Sequence, residues 1–153
     1  MGISFFILIS LSIFEIENIY KSPEDFKGKN FFKKIFFGKG KTEEFLSPYS
    51  ISIFNKNIAI CDGQRIFYIS ENKAYKIDFP FESYCMDVAL DKDFIYSSFP
   101  QEEIVGFYDL NKKKWEKIDF PFLKPNGLYY DFKNNELYVV DTQRHKIFSG
   151  KGG

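Results

Sequence analysis

The hexapeptide Lys76–Phe81 (KIDFPF) recurs letter for letter at Lys117–Phe122, 41 residues further along the chain (117 minus 76). The residues after each copy also align, because Asp87–Asp91 (DVALD) corresponds to Gly127–Asp131 (GLYYD). An identical run at this distance indicates an internal repeat, and a period near 40 residues is typical of the blades of a β-propeller.

An earlier copy begins at Ser47, since Ile58–Asp62 (IAICD) corresponds to Leu137–Asp141 (LYVVD) about two repeats later. Each unit divides into short apolar runs separated by Asn, Asp and Gly. Four strands per unit indicate a propeller blade, and no stretch follows the 3.6-residue helical period. The predicted strands are Tyr49–Phe54, Asn57–Cys61, Arg65–Ile69 and Ala74–Ile77, then Tyr84–Leu90, Phe94–Ser98, Ile104–Tyr108 and Lys114–Ile118, then Gly127–Phe132, Glu136–Val140 and His145–Phe148. The fold class is therefore all-β, a propeller arc of about three four-stranded blades.

Composition narrows the function. The 153 residues include 20 Phe and 10 Tyr, which favours strands over helices. Lys plus Arg and Asp plus Glu number 21 each, so the net charge is zero. Nucleic-acid binding is not expected, because phosphate neutralisation needs a basic excess or a clustered basic face. No apolar run is long enough to predict a membrane span.

The third unit resembles an NHL repeat. Pro125–Leu128 (PNGL) matches its Pro-x-Gly start, and Glu136–Ile147 (ELYVVDTQRHKI) matches its second and third strands. The first unit matches more weakly, and the second departs at Ser97–Pro100 (SSFP), where the Asp-Thr string would stand. The resemblance implies a six-bladed propeller, of which this chain holds blades at 47–80, 81–121 and an incomplete 122–153.

Three blades leave two blade faces uncovered, which exposes apolar surface. The chain is expected to be a fragment of a longer propeller, with half of a dimer as the alternative. Self-association through the open faces is predicted, as is a third blade of three strands, and the first and third units are expected not to touch. Residues 13–46 are assigned to a leader with a lone outer strand at Phe31–Phe37.

The N-terminus resembles an export signal. Ile3–Leu11 is an uncharged apolar run of suitable length, and Ser10-Leu11-Ser12 offers small residues for cleavage, so residues 1–12 are assigned to a signal peptide. A buried first strand is the alternative, because no Lys or Arg precedes the run. The expected location is extracytoplasmic. Cys61 and Cys85 permit one disulfide, but their non-equivalent places in the repeat favour two separate buried thiols.

Several repeated residues are predicted to be structural. Asp at a strand end accepts local backbone N–H bonds, and Pro between blades fixes φ at the crossing. The core is expected to contain the apolar residues of the inner strands. The structural positions are Asp62, Asp141, Asp78, Asp119, Pro80, Pro121, Gly127 and His145, and the core positions are Ile51, Ile53, Ile58, Ile60, Val88, Leu90, Ile95, Leu128, Leu137 and Val139.

Asn126 is the strongest candidate for a functional residue. Pro125-Asn126-Gly127 is also similar to gluconolactonase-like propellers, and that resemblance implies that Asn126 lines the channel and ligates a divalent metal, usually calcium. Hard cations prefer such oxygen ligands. The family's first-blade Glu has no match here, since Pro48-Tyr49-Ser50 occupies that position. The alternative is a turn residue in the left-handed conformation beside Gly127.

Three other motifs are weaker indications of function. Gly40-Lys41-Thr42 lacks the upstream glycine of a phosphate loop, and no helix is predicted after it. The basic aromatic run Lys27–Lys41 could stack single-stranded RNA, but flanking acids favour a protected edge strand. His145 is the only histidine, so a multi-histidine metal site is excluded, and packing is favoured over pairing with a cysteine nucleophile.

Propeller loops from every blade gather on one face, so binding is the function predicted first. No catalytic residue and no cofactor is assigned. The expected partner is a protein or small-molecule ligand on a propeller face. The alternative function is a metal-dependent, gluconolactonase-like lactonase, for which calcium is the expected ion and Asn126 one ligand.

Overall fold

The computed structural model describes residues 21–23, 44–71 and 73–152. Their strands form three antiparallel sheets in chain order, each corresponding to one repeat. Blade 1 contains β1 (Pro48–Phe54), β2 (Asn57–Asp62), β3 (Arg65–Ser70) and β4 (Lys73–Asp78); blade 2 contains β5 (Asp87–Leu90), β6 (Phe94–Phe99), β7 (Ile104–Asp109) and β8 (Lys114–Lys117); blade 3 contains β9 (Pro125–Asp131), β10 (Glu136–Asp141) and β11 (Lys146–Lys151). The all-β prediction is confirmed, and blade 3 has three strands in the described part of the chain.

Tight turns join neighbouring strands within each blade. Asn55, directly after β1, has φ of 54°, and Asn135, directly before β10, has φ of 56°. Asn tolerates this left-handed conformation better than most residues, which is why Asn marks turns in the sequence. The predicted strand at Tyr84–Leu90 is shorter in the structure, because β5 begins only at Asp87.

Two hydrophobic clusters join the blades. Between blades 1 and 2, Ile66, Leu90 and Ile95 are fully buried. Between blades 2 and 3, Val105 packs with Leu137 and Val139. Each cluster takes side chains from facing sheets, so the alternation along every strand divides residues between two junctions. The blades therefore pack face to face.

The core prediction is wrong at Ile51 and Ile53, which are 53% and 58% exposed. Their counterparts in blade 2 are Val88 and Leu90, which are 3% and 0% exposed because blade 1 covers them. In the described part of the chain no blade covers the matching face of blade 1. We call this surface of Ile51 and Ile53 the open face of blade 1.

Blade 3 has a second open face, formed by Tyr129, Val140 and Ile147. The register places Val140 opposite Ile147, as Cys61 lies opposite Ile66 in blade 1. Ile66 is fully buried by the next blade, whereas Ile147 is 67% exposed. Both open faces therefore consist of positions that are buried wherever a neighbouring blade is present.

The first and third units do touch, contrary to the sequence-based expectation. The rings of Phe54, at the end of β1, and Phe132, just after β9, are stacked with centroids 4.7 Å apart. The inner strands converge on the propeller axis, so long side chains at their ends reach across blade 2. This contact lies at one end of the axis and leaves both open faces uncovered.

The open faces predict self-association. Burying one Ile side chain is worth about 1.5–3 kcal/mol, so Ile147→Lys should weaken association by about tenfold or more. Sedimentation velocity over a concentration series would show oligomers of the wild type and fewer of the variant. Tyr75→Lys, on the outer strand β4, is the control and should sediment like the wild type. A wild type that stays monomeric at every concentration contradicts the prediction.

Candidate binding face

The inner strands β1, β5 and β9 lie side by side and begin at the same end of the arc. Ser50 Oγ and Ser52 Oγ of β1 accept hydrogen bonds from the backbone N–H groups of Val88 (3.3 Å) and Leu90 (3.0 Å) of β5. The step from Ser50 to Ser52 along β1 matches the step from Val88 to Leu90 along β5, so these two strands run parallel. We call the surface at the beginning of these strands the mouth face.

Asp87 stands at the mouth face and links all three blades. Ser50 Oγ donates to its Oδ1, which also accepts the N–H of Val88 at 2.8 Å. Its Oδ2 accepts the N–H of Leu128 in blade 3 at 2.6 Å. In the repeat alignment Asp87 corresponds to Gly127. The alignment did not reveal the role of Asp87, because that role depends on how the blades meet at the axis.

Asn126 lies beside this link, as the second residue of β9. Its Nδ2 donates to Thr142 Oγ1 at 3.1 Å, while its Oδ1 is buried without a hydrogen-bond partner. Its φ is not positive, so the alternative of a left-handed turn residue is wrong. Gly127 lies in a tight place, since a Cβ there would be 3.3 Å from Val140 Cγ2.

Asp62 and Asp141 hold the segments that lead into blades 1 and 3. Asp62 accepts the N–H groups of Leu46 (3.0 Å) and Ser47 (2.7 Å). Asp141 accepts those of Leu123 (2.9 Å) and Lys124 (3.0 Å). Both carboxylates are buried, so these bonds satisfy groups that water does not reach.

An arginine three residues later supports each carboxylate. Arg65 Nε donates to Asp62 at 3.0 Å, and Arg144 Nε lies 3.7 Å from Asp141. Burial alone would raise the pKa of Asp141, but the backbone N–H bonds and the Arg144 charge hold that pKa below its usual range.

Blade 2 replaces this carboxylate with Phe99, which is fully buried. Phe99 packs edge-on against Phe79 (4.7 Å between centroids) and Phe81 (4.9 Å). Cys85 is bonded to Cys61 in a disulfide, so the prediction of two separate thiols is wrong. The repeat placed the cysteines at non-equivalent positions, but the end of β2 lies against the segment entering blade 2, and there the two meet.

The other predicted structural residues lie on the surface. Asp78 and Asp119 are exposed, and the backbone oxygen of Asp78 accepts the indole N–H of Trp115 at 3.0 Å. Pro80 and Pro121 lie in the crossings between blades. His145 is exposed in a turn with φ of 52° instead of packing, and it lines an open cleft of about 350 Å³ beside Ile147.

A second cleft, of about 440 Å³, opens on the mouth face of blade 1. Leu46 and Tyr84 line it together with the Asp62–Arg65 pair and the exposed Asp78. Leu46 is 80% exposed, and Tyr49, Tyr84 and Met86 are about half exposed. We call Leu46, Tyr49, Tyr84 and Met86 the mouth patch. Sequence reasoning missed the patch because its members precede or begin the inner strands and follow no periodic pattern.

Within the described residues, no group of three or more His, Cys, Asp or Glu side chains could hold a metal ion. The carboxylates of Asp87 and Asp141 lie on strand segments next to Asn126, and the oxygens of both accept the hydrogen bonds given above. The described ranges also contain no helix that is long and apolar enough to cross a membrane.

The chain matches no family model and has no similar sequence among curated proteins. Solved structures are similar to it. A chain of a nidogen–laminin complex aligns with a TM-score of 0.59 and 18% identity, covering 71% of this chain and 48% of that one. The Staphylococcus aureus virginiamycin B lyase with quinupristin, in a catalytically inactive form, gives 0.52 and 16%, covering 69% and 41%. Saccharomyces cerevisiae Sqt1 gives 0.53 and 13%, covering 78% and 34%.

These similar structures are β-propellers, and the likeness confirms the fold class. The chain is part of a β-propeller, of which the described residues form a three-blade arc. It spans less than half the length of each of these three structures, between 34% and 48%.

The Asp141 bonds predict a pH-dependent contribution to stability. Asp141→Ala leaves the N–H groups of Leu123 and Lys124 without their acceptor, so unfolding at pH 7 should become easier by about 1–3 kcal/mol. Because the folded pKa is depressed, this contribution is present above the unfolded value of about 3.9 and disappears as pH falls through the lower folded value. Urea unfolding at a series of pH values from 7 downward measures both.

Asp119→Ala is the matched control, because Asp119 is exposed and belongs to the same class of repeated aspartates. It should change the free energy of unfolding by less than about 0.5 kcal/mol throughout the series. An Asp141→Ala penalty that does not decrease as the pH is lowered would show that the carboxylate charge does not supply the stability.

Proposed function

We propose that this chain is a non-catalytic binding propeller with NHL-like repeats, exported from the cytoplasm, whose mouth face takes a protein or small-molecule ligand. The observation that carries the proposal is the mouth patch. Leu46 and Tyr84 line a cleft, and they and Met86 expose apolar surface at the end of the arc where loops from all three blades gather. Exposed Tyr and Met side chains and an Arg are enriched at protein-binding surfaces.

The use of the carboxylates at this face also supports binding. Asp62, Asp87 and Asp141 all accept hydrogen bonds from backbone groups of this chain. A carboxylate that holds the fold together is poorly placed to exchange protons with a substrate. Asp78, the exposed carboxylate of the cleft, forms an ion pair with Lys76 at 3.8 Å.

A similar fold occurs in a chain of the nidogen–laminin complex, which is a protein–protein assembly. At 18% identity the likeness concerns the fold alone, yet it supports a propeller face as a surface that can serve a protein partner.

The disulfide supports export, because Cys61–Cys85 requires an oxidising compartment to persist. The expected mature chain begins near Ile13. N-terminal mass spectrometry of protein recovered from the extracytoplasmic fraction of a bacterial host would measure this. Protein that retains Met1 and stays in the cytoplasm contradicts export.

Tyr84→Ala should weaken ligand binding at the mouth face. Peptides are first selected from a random library on the immobilised wild-type protein, and their affinities are measured by fluorescence anisotropy. Loss of an aromatic hot spot costs about 2 kcal/mol, so the dissociation constant should rise by about tenfold or more.

Tyr75→Ala is the matched control, because Tyr75 and Tyr84 are both 48% exposed but Tyr75 lies on the outer strand β4. It should leave peptide affinity unchanged. Selected peptides that bind the Tyr84→Ala protein as tightly as the wild type would contradict a ligand site at the mouth patch.

A second candidate function is a metal-dependent lactonase-type hydrolase. The observation that favours it is Asn126 Oδ1, which is buried and unpartnered at the mouth of the axis. A similar fold is also found in the virginiamycin B lyase, which is an enzyme. In such a hydrolase Asn126 would be one of several oxygen ligands to calcium.

Calcium titration separates the two candidates. A calcium ion takes six to eight oxygen ligands, whereas the described residues offer Asn126 and an already bonded Asp87. We expect calorimetry to detect no binding tighter than millimolar, for the wild type and for Asn126→Ala alike. Micromolar affinity that Asn126→Ala removes would favour the hydrolase.

A further inference from the structure

Three glutamates border the mouth patch. Glu82 lies in the crossing between blades 1 and 2, two residues before Tyr84 of the patch. Glu102 and Glu103 lie in the turn between β6 and β7, at the same end of the arc. All three side chains are exposed, and within the described residues none of them forms an ion pair. We call Glu82, Glu102 and Glu103 the acidic rim.

Contacts between the crossing and the β6–β7 turn place this rim beside the patch. The backbone N–H of Met86 donates to the backbone oxygen of Ser98 at 2.9 Å, so the patch adjoins the end of β6. The rings of Phe81 and Phe99 pack edge-on with centroids 4.9 Å apart, which holds the start of the turn against the crossing. The mouth patch and the acidic rim are therefore parts of one surface.

The fold does not account for the glutamates of the turn. Arg144 of blade 3 stands 42 residues after Glu102 (144 minus 102), and the same offset separates Asp141 from its counterpart Phe99 (141 minus 99). Arg144 supports the buried carboxylate of Asp141. Phe99 replaces that carboxylate in blade 2, and an apolar ring needs no charged neighbour. Glu102 and Glu103 are therefore not needed to maintain the blade and remain available to a ligand.

The basic side chains at this end of blades 1 and 2 do not neutralise the rim. Arg65 donates to Asp62, and Lys76 pairs with Asp78 at 3.8 Å. Lys117 lies at the end of the outer strand β8. The exposed apolar surface of the patch thus has an excess of negative charge at its border. Such a border attracts partners of positive charge and repels those of negative charge.

We propose that the mouth patch binds a basic segment of a partner protein, in which apolar side chains pack on Tyr84 and Met86 and flanking Lys or Arg residues pair with the acidic rim. This inference names the partner of the proposed binding face and therefore rests on that function. Nucleic acids and anionic membrane surfaces fit poorly, because their phosphates are repelled by the same glutamates. A basic protein segment supplies both the apolar contact and the positive charge.

The test compares two capped, fluorescent peptides, Lys-Arg-Ala-Leu-Trp-Ala-Arg-Lys and its charge-reversed form Glu-Glu-Ala-Leu-Trp-Ala-Glu-Glu. Anisotropy at low ionic strength should show that the wild type binds the basic peptide about tenfold more tightly or better, because several exposed charge pairs each contribute a little. The preference should decrease as salt is added, since these charges are screened.

Charge reversal of the rim locates the effect. Glu103→Lys should weaken binding of the basic peptide by about threefold or more, and Glu82→Lys added to it should reverse the preference between the two peptides. Glu71→Lys is the matched control and should leave both affinities unchanged. Glu71 and Glu103 are both exposed turn residues with positive φ, of 48° and 60°, but Glu71 lies in the β3–β4 turn at the opposite end of the arc.

The Tyr84→Ala protein separates failure of this inference from failure of the proposed function. If library-selected peptides depend on Tyr84 while the basic and acidic peptides bind equally, the patch binds ligands but the basic partner is wrong. If no peptide depends on Tyr84, both proposals are wrong. Carboxyl-to-lysine crosslinking that joins the acidic rim to lysines of this chain, within one molecule or between two copies, in place of peptide binding would also overturn the inference.

Discussion

The carboxylate of Asp87 is the interaction on which the arc depends. Each inner strand is the edge of its own sheet, so the N–H groups on the side that faces the propeller axis have no partner within the blade. Side chains of the preceding blade supply the acceptors: Ser50 and Ser52 for β5, and Asp87 for β9. Asp87 also accepts a hydrogen bond from Ser50 Oγ, so this one residue links three sheets at the axis. The blades are thereby fixed against each other by polar bonds at the centre and by apolar packing outside it.

The segments that lead into the blades are held by two different chemistries. Blades 1 and 3 use a buried aspartate supported by an arginine three residues later. Blade 2 uses Phe99 in an aromatic cluster and the Cys61–Cys85 disulfide. Both arrangements secure the same point of the repeat, where the chain crosses from one sheet to the next. Because these carboxylates maintain the fold, the apolar and aromatic residues of the mouth patch are the groups on which the proposed binding function rests.

The mouth patch is a group of exposed apolar side chains, of which Leu46 and Tyr84 line a cleft. It is the surface on which the proposed ligand would lie. The open blade faces differ from it, because their residues occupy positions that a neighbouring blade buries elsewhere in the same chain.

The sequence by itself determined the strands, the turns and the blade period, because strand alternation, turn residues and an identical hexapeptide are local properties. It also predicted, from their places in the repeat, that Asp62, Asp141 and Gly127 are structural residues. Only the tertiary structure decided that Ile51 and Ile53 are exposed while Val88 and Leu90 are buried, since alternation separates two faces without showing which one a blade covers. It alone brought Cys61 to Cys85, Phe54 to Phe132, and Asp87 to three blades. These contacts join residues far apart in the chain, and their distances depend on how the sheets converge at the axis.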